Sequence, residues 1–123
     1  MRRLIIDLDD TICSTKNGNY VESAPNLEVI SRIREYKQSG FDIVIHSSRN
    51  MRTYEGNLGK ITAFTVPTII EWLKKHDVPY DEIVVGKPWC GHEGFYVDDR
   101  AIRPSEFKKY SIPEITRLLE AEK

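Results

Sequence analysis

Two aspartates two residues apart, Asp7 and Asp9, follow the short apolar run Leu4-Ile5-Ile6. Such a run reads as a buried strand. Strand residues two apart point the same way, so the two carboxylates converge on one spot. Converging carboxylates repel each other. A divalent cation, usually Mg²⁺, relieves that repulsion and offers itself to a phosphate. Asp10 and Thr11 complete the cluster. An acidic turn that merely caps the next element uses the same residue types, so the rest of the chain has to decide.

It does so through three further polar clusters, each placed just after an apolar run. The run over residues 41–46 ends in His46-Ser47-Ser48-Arg49. The run over 82–85 ends in Gly86-Lys87-Pro88-Trp89-Cys90-Gly91-His92. The run over 94–97 ends in Asp98-Asp99. These runs are the four strands that the sequence predicts.

The intervening stretches must position the strand ends. Residues 12–21 contain Asn17-Gly18, a tight-turn pair, and read as a small β-flap above the first strand. Ser23 and Pro25 mark a helix start, with Ser23 as cap. Leu27, Val29, Ile30, Ile33 and Tyr36 form its apolar stripe, and Gly40 ends it. Residues 47–65 read as a long loop. Pro67 opens a second helix with Ile69, Ile70, Trp72 and Leu73 on its apolar face. Residues 100–110 read as irregular. Ser111 and Glu114 make a capping box for a last helix carrying Ile115, Leu118 and Leu119.

Strands alternating with helices predict an α/β, Rossmann-like parallel sheet with helices on both faces. Ligands of such sheets bind beyond the carboxyl ends of the strands, where all four clusters fall. The gaps between clusters leave no room for a separate cap domain. The length of 123 residues suits one domain over residues 1–123. Charge is nearly balanced, with 18 basic and 19 acidic residues and a net charge of -1, so nothing advertises nucleic acid or an anionic membrane. No signal peptide or membrane-length apolar stretch is expected. The expected location is cytoplasmic, with Cys13 and Cys90 as free thiols. Cys13, Cys90 and His92 fall short of a zinc site.

In these residues the chain resembles the haloacid dehalogenase superfamily of phosphotransferases. Asp7-Leu8-Asp9-Asp10-Thr11 is similar to its first motif, with Asp10 where Gly is more usual. Ser47 matches the hydroxyl of the second motif, Lys87 the lysine of the third, and Asp98-Asp99 the acidic pair of the fourth. The segments around Arg49-Asn50-Met51-Arg52, Val78-Pro79-Tyr80-Asp81 and Lys87-Pro88-Trp89-Cys90 resemble a bacterial subgroup described as phosphatases of capsule polysaccharide biosynthesis.

The resemblance implies a Mg²⁺-dependent phosphatase acting on a small phosphorylated substrate, such as a sugar phosphate. Asp7 would be the nucleophile and Asp9 the general acid and base. Lys87 and Mg²⁺ would offset charge, and Ser47 would hold phosphoryl oxygens. The metal set would be Asp7, Asp9 (through its carbonyl), Asp98 and Asp99, with Asp98 the first choice over Asp99 as direct ligand. Thr11, His46, Ser48, Arg49, Trp89 and His92 adjoin the motifs and are the candidates to contact substrate.

Three rivals share parts of this pattern. A receiver-type regulatory module carries its phosphate-accepting Asp after a later strand. A dehalogenase does not need Asp9. A polynucleotide phosphatase would want a basic track. A site without a cap needs cover from residues 17–18, 54–59 or 89–92, or from a neighbouring subunit, so a homo-oligomer is expected.

Overall fold

The computed structural model describes residues 1–15 and 19–123. Two compact units emerge, Met1–Trp89 and Cys90–Lys123.

In the first unit, β1 (Arg3–Asp7), β4 (Asp42–Ser47) and β5 (Glu82–Val85) form a parallel sheet in the order β1-β4-β5. The crossover helices are α1 (Leu27–Gln38) and α3 (Val66–Lys75). Both crossovers step the same way across the sheet, and right-handed connections then place both helices on one face. Ile6, Leu8, Ile43 and Ile45 from the sheet segments, with Val29, Ile30 and Ile33 of α1 and Ile69, Trp72 and Leu73 of α3, make the buried core. The Rossmann-like α/β class expected from the sequence is therefore what the chain adopts, with no cap domain among the described residues, but the two crossover helices of this sheet share one face instead of covering both, because both connections step in the same direction.

The flap differs in detail from expectation. Its strands are β2 (Cys13–Ser14) and β3 (Ala24–Pro25), paired antiparallel. The expected turn at Asn17-Gly18 lies outside the described residues. Ser23 does not cap α1. It is buried, its carbonyl accepts the Trp72 indole N–H at 2.9 Å, and its hydroxyl lies 2.6 Å from that of Thr15. Asn26 is the cap, accepting from the Val29 N–H, so Pro25 falls in β3 and Leu27 is exposed. A Ser or an Asn can cap equally well; the indole bond and β2 pairing decide between them.

The expected loop over residues 47–65 is helical in its second half. Turns over residues 49–56 lead into α2 (Leu58–Lys60), a π-helical segment (Ile61–Thr65) and then α3. Pro67 lacks an N–H and its ring crowds the preceding turn. The wider π geometry falls just there.

In the second unit, residues 94–98 form no strand, contrary to expectation. Only residues 86–93 separate β5 from this segment, fewer than the dozen or so that a parallel crossover takes. Arg100 to Tyr110 is not wholly irregular either: α4 (Pro104–Lys109) occupies it, with the Arg103 N–H donating to Glu106 at 2.9 Å. The last helix, α5 (Ile112–Glu120), has the expected box: Ser111 accepts from the Glu114 N–H at 3.3 Å and Glu114 accepts from the Ser111 N–H at 3.0 Å.

One carboxylate ties the first unit's sheet to a helix. Asp81 accepts from the Ile43 N–H at 2.8 Å and from Lys37 at 2.8 Å, and these bonds lower its pKa below the ordinary 3.8. A lowered carboxylate adds stability that is present above the unfolded value and lost as pH falls through the folded one. Asp81→Asn should therefore reduce thermal stability at neutral pH, and the gap to wild type should close as pH drops below 3.8. Melting curves across pH 2 to 7 check this; a gap independent of pH would remove Asp81's charge from the account.

Candidate functional site

Parallel register places three of the sequence-predicted clusters together. Asp7 is opposite His46, and Ser47 is opposite Val85, two residues before Lys87. All lie at the carboxyl ends of their strands. The Lys87 N–H extends the ladder by donating to the Ser47 carbonyl at 3.2 Å. Gly86, at φ 88°, makes the turn that this requires, in a region that side chains other than glycine disfavour.

From there the Lys87 ammonium reaches Asp7 Oδ1 at 3.4 Å, while Thr11 donates to Asp7 Oδ2 at 3.2 Å. Burial raises the Asp7 pKa, and Lys87, Thr11 and the Leu8 N–H pull against that rise. His46 belongs to the same group. Burial and then the Lys87 charge lower its pKa, with Asp7 acting in the opposite direction. The lowered value favours a neutral imidazole beside the Lys87–Asp7 pair.

Asp9 is held differently. Arg49 grips it with two bonds, Nε to Oδ2 at 3.0 Å and Nη2 to Oδ1 at 2.8 Å. The Arg49 side chain is 1% exposed and that of Asp9 is 28% exposed. Thr15 adds a bond to Asp9 Oδ1 at 3.2 Å, and the Tyr20 ring lies 4.1 Å from the guanidinium carbon. Arg49 Nη1 is buried and has no hydrogen-bond partner among the described residues. Ser47 is buried too, and its Oγ accepts the Arg49 N–H at 3.0 Å. That bond fixes the turn that aims Arg49, and it leaves the hydroxyl's own proton to donate.

The loop after β1 is a tight one. The Ile12 N–H and the Thr11 N–H both donate to the Leu8 carbonyl, at 2.9 and 3.2 Å. Asp10 sits at φ 61°, which explains a preference for Gly at that place; Asp tolerates this region better than most residues. Cys13 is buried beside Asp9, and burial with that carboxylate pushes its thiol up to about 11. It is a protonated core thiol, not a nucleophile.

Other expected contacts fall elsewhere. Trp89 is 43% exposed, and its ring lies 5.7 Å from the Arg52 guanidinium carbon. Ser48 is half-buried at the β4 turn. His92, Asp98 and Asp99 are exposed residues of the second unit, where Asp98 accepts the Arg100 N–H at 2.8 Å. Among the described residues no group of three or more His, Cys, Asp or Glu side chains is gathered for a metal. Thr15 and Tyr20 went unnoticed in the sequence. Neither carries a motif signal, and the flap alone brings them to Asp9 and Arg49.

Breaking a buried ion pair from one side costs about 3–5 kcal/mol. Asp9 keeps some contact with water, so Arg49→Ala should cost about 3 kcal/mol, the low end of that range. Arg49→Lys should recover only part, because an ammonium cannot reproduce the two-pronged grip. Urea unfolding measures both; a loss under about 1 kcal/mol, typical of an exposed pair, would demote the interaction.

No protein-family model matches the chain. No curated protein matches it either. Among solved structures, two chains of the Pnkp1/Rnl/Hen1 RNA repair complex share the fold at a TM-score of 0.51. One is 20% identical and covers 68% of this chain and 27% of its own; the other is 18% identical and covers 88% and 30%. The crystal structure of a structural-genomics target from Vibrio cholerae is far nearer, with a TM-score of 0.97 and 59% identity over 100% of both chains. At that identity over their whole lengths, this chain and the Vibrio cholerae protein belong to one family.

Proposed function

We propose that the chain is a phosphomonoesterase that works through an aspartyl-phosphate on Asp7. The observation that carries this reading is the meeting of Asp7, Lys87 and Ser47 at adjacent strand ends, with Asp9 held beside them by Arg49. A carboxylate nucleophile must approach an anionic phosphoryl group. Lys87 lies where it can neutralise part of that charge. The Ser47 hydroxyl and Arg49 Nη1 are donors suited to phosphoryl oxygens.

Asp7 attacks phosphorus and the ester oxygen leaves with a proton from Asp9. Asp9 then takes a proton from the water that opens the aspartyl-phosphate. The Arg49 grip orients Asp9 for both steps. Thr11 orients Asp7 through Oδ2.

The Asp7 carboxylate and the Asp9 carbonyl are hard oxygen donors, which suits Mg²⁺, and they would hold it. When bound, Mg²⁺ would supply charge neutralisation at the transferring phosphoryl group. The substrate is a small phosphorylated metabolite, a sugar phosphate by the resemblance to capsule-pathway phosphatases, and the protein works in the cytoplasm. A second reading takes an RNA end as substrate, because the two remote fold neighbours come from an RNA repair complex. The near-zero net charge supports the small substrate.

The test is a panel of sugar phosphates, nucleotides and 3′- or 5′-phosphorylated oligoribonucleotides, assayed with Mg²⁺ and then with EDTA. Turnover should require Mg²⁺ and favour the sugar phosphates. Asp7→Asn should abolish it, and Asp9→Asn should slow it by about 10²–10⁴-fold. Lys87→Ala should cut turnover while leaving the melting temperature nearly unchanged. Activity of Asp7→Asn above a few per cent would remove Asp7 as nucleophile, and a preference for oligoribonucleotides would select the second reading.

A further inference from the structure

We infer that a second copy of this chain supplies the strand that the sheet lacks: residues 94–99 of one copy pair along the outer edge of β1 in the other, and carry Asp98 and Asp99 to the site at the end of that strand. The pairing stands on the structure alone. The clause about the site rests on the proposed phosphatase reading.

The need arises in the first unit. β1 carries Asp7, yet it is an edge strand, and among the described residues no strand pairs with its other side. An exposed edge presents a row of unpaired N–H and C=O groups.

The matching piece is in the second unit. Gly94-Phe95-Tyr96-Val97-Asp98-Asp99 has the aromatic and β-branched make-up of a strand. It runs without a ladder, with Phe95 78% and Val97 87% exposed. Burying each such side chain is worth about 1.5–3 kcal/mol, so this segment gains by pairing.

The chain's own connection is what selects a second copy. To lie parallel and outside β1, residues 94–99 would have to return to the far end of the sheet and pass both β5's neighbour β4 and β1 itself. Residues 86–93 are the whole connection, the turn at 91–93 and the positive φ of Gly86 and Gly91 shorten its reach, and a parallel crossover takes about a dozen residues or more. Between copies that limit disappears. The exchange is also reciprocal, so two copies close with the β1 edge of each covered by the other. The Vibrio cholerae chain matches over its full length, the stretch that corresponds to residues 94–99 included.

Light scattering at micromolar concentration should give a dimer or a multiple of it. Val97→Pro removes an N–H from the middle of the pairing segment and should give a monomer that keeps its helical circular dichroism. The site clause is tested by mixing two inactive chains, Asp7→Asn and the double variant Asp98→Asn/Asp99→Asn, unfolding and refolding them together, and assaying p-nitrophenyl phosphate with Mg²⁺. Random pairing makes half of the dimers hybrid with one intact site in two, so about a quarter of wild-type activity should return.

A monomeric wild-type chain would overturn the exchange, even if it is an active phosphatase. A dimer that survives Val97→Pro would also overturn it. Mixed chains that stay inactive while wild type refolds to full activity would overturn the shared site. A dimer that Val97→Pro dissociates, but that hydrolyses no phosphate ester, would uphold the exchange and reject the phosphatase reading instead.

Discussion

The bidentate ion pair between Arg49 and Asp9 joins the two loops on which the site is built. One follows β1 and the other follows β4, and the strands run parallel, so only their carboxyl ends bring these loops within reach. Once formed, the pair organises its surroundings. Ser47 accepts the Arg49 N–H and sets its turn; Thr15 shares Asp9; Tyr20 covers the guanidinium. The flap is thereby fastened to the loops at the sheet's end through polar contacts and to α3 through the Trp72–Ser23 bond. A buried charge pair is costly to desolvate and is weak evidence of stability for its own sake. Its value here is orientation, since a carboxylate gripped on both oxygens has one position.

Asp7 and Asp9 lie two residues apart yet have different partners. Asp7 faces Lys87 at 3.4 Å and Thr11 at 3.2 Å, the looser contacts, and burial raises its pKa. Asp9 faces a guanidinium at 2.8 Å. The two carboxylates thus differ in partner and distance while being similarly exposed, 32% and 28%.

Sheet order imposes the remaining constraint. Among the described residues the strand that bears Asp7 is at an edge, with no strand paired to its outer side. Such an edge presents unpaired N–H and C=O groups beside the site.

Much of this was legible in the residues themselves. Apolar runs located β1, β4 and β5 because buried parallel strands are continuous in hydrophobicity, and the Ser111–Glu114 box located α5 because it is a purely local device. Asp7, Asp9, Ser47 and Lys87 could be singled out because strand ends are where polar residues interrupt such runs. Tertiary structure decided the rest. Ser23 yielded the α1 cap to Asn26 when Trp72 claimed its carbonyl. The Arg49–Asp9 pair spans loops forty positions apart in sequence, and no local pattern encodes it. Residues 94–99 read as a strand because strand character depends on side chains, whereas a strand forms only where its backbone finds a partner edge, and these residues carry no strand in the structure.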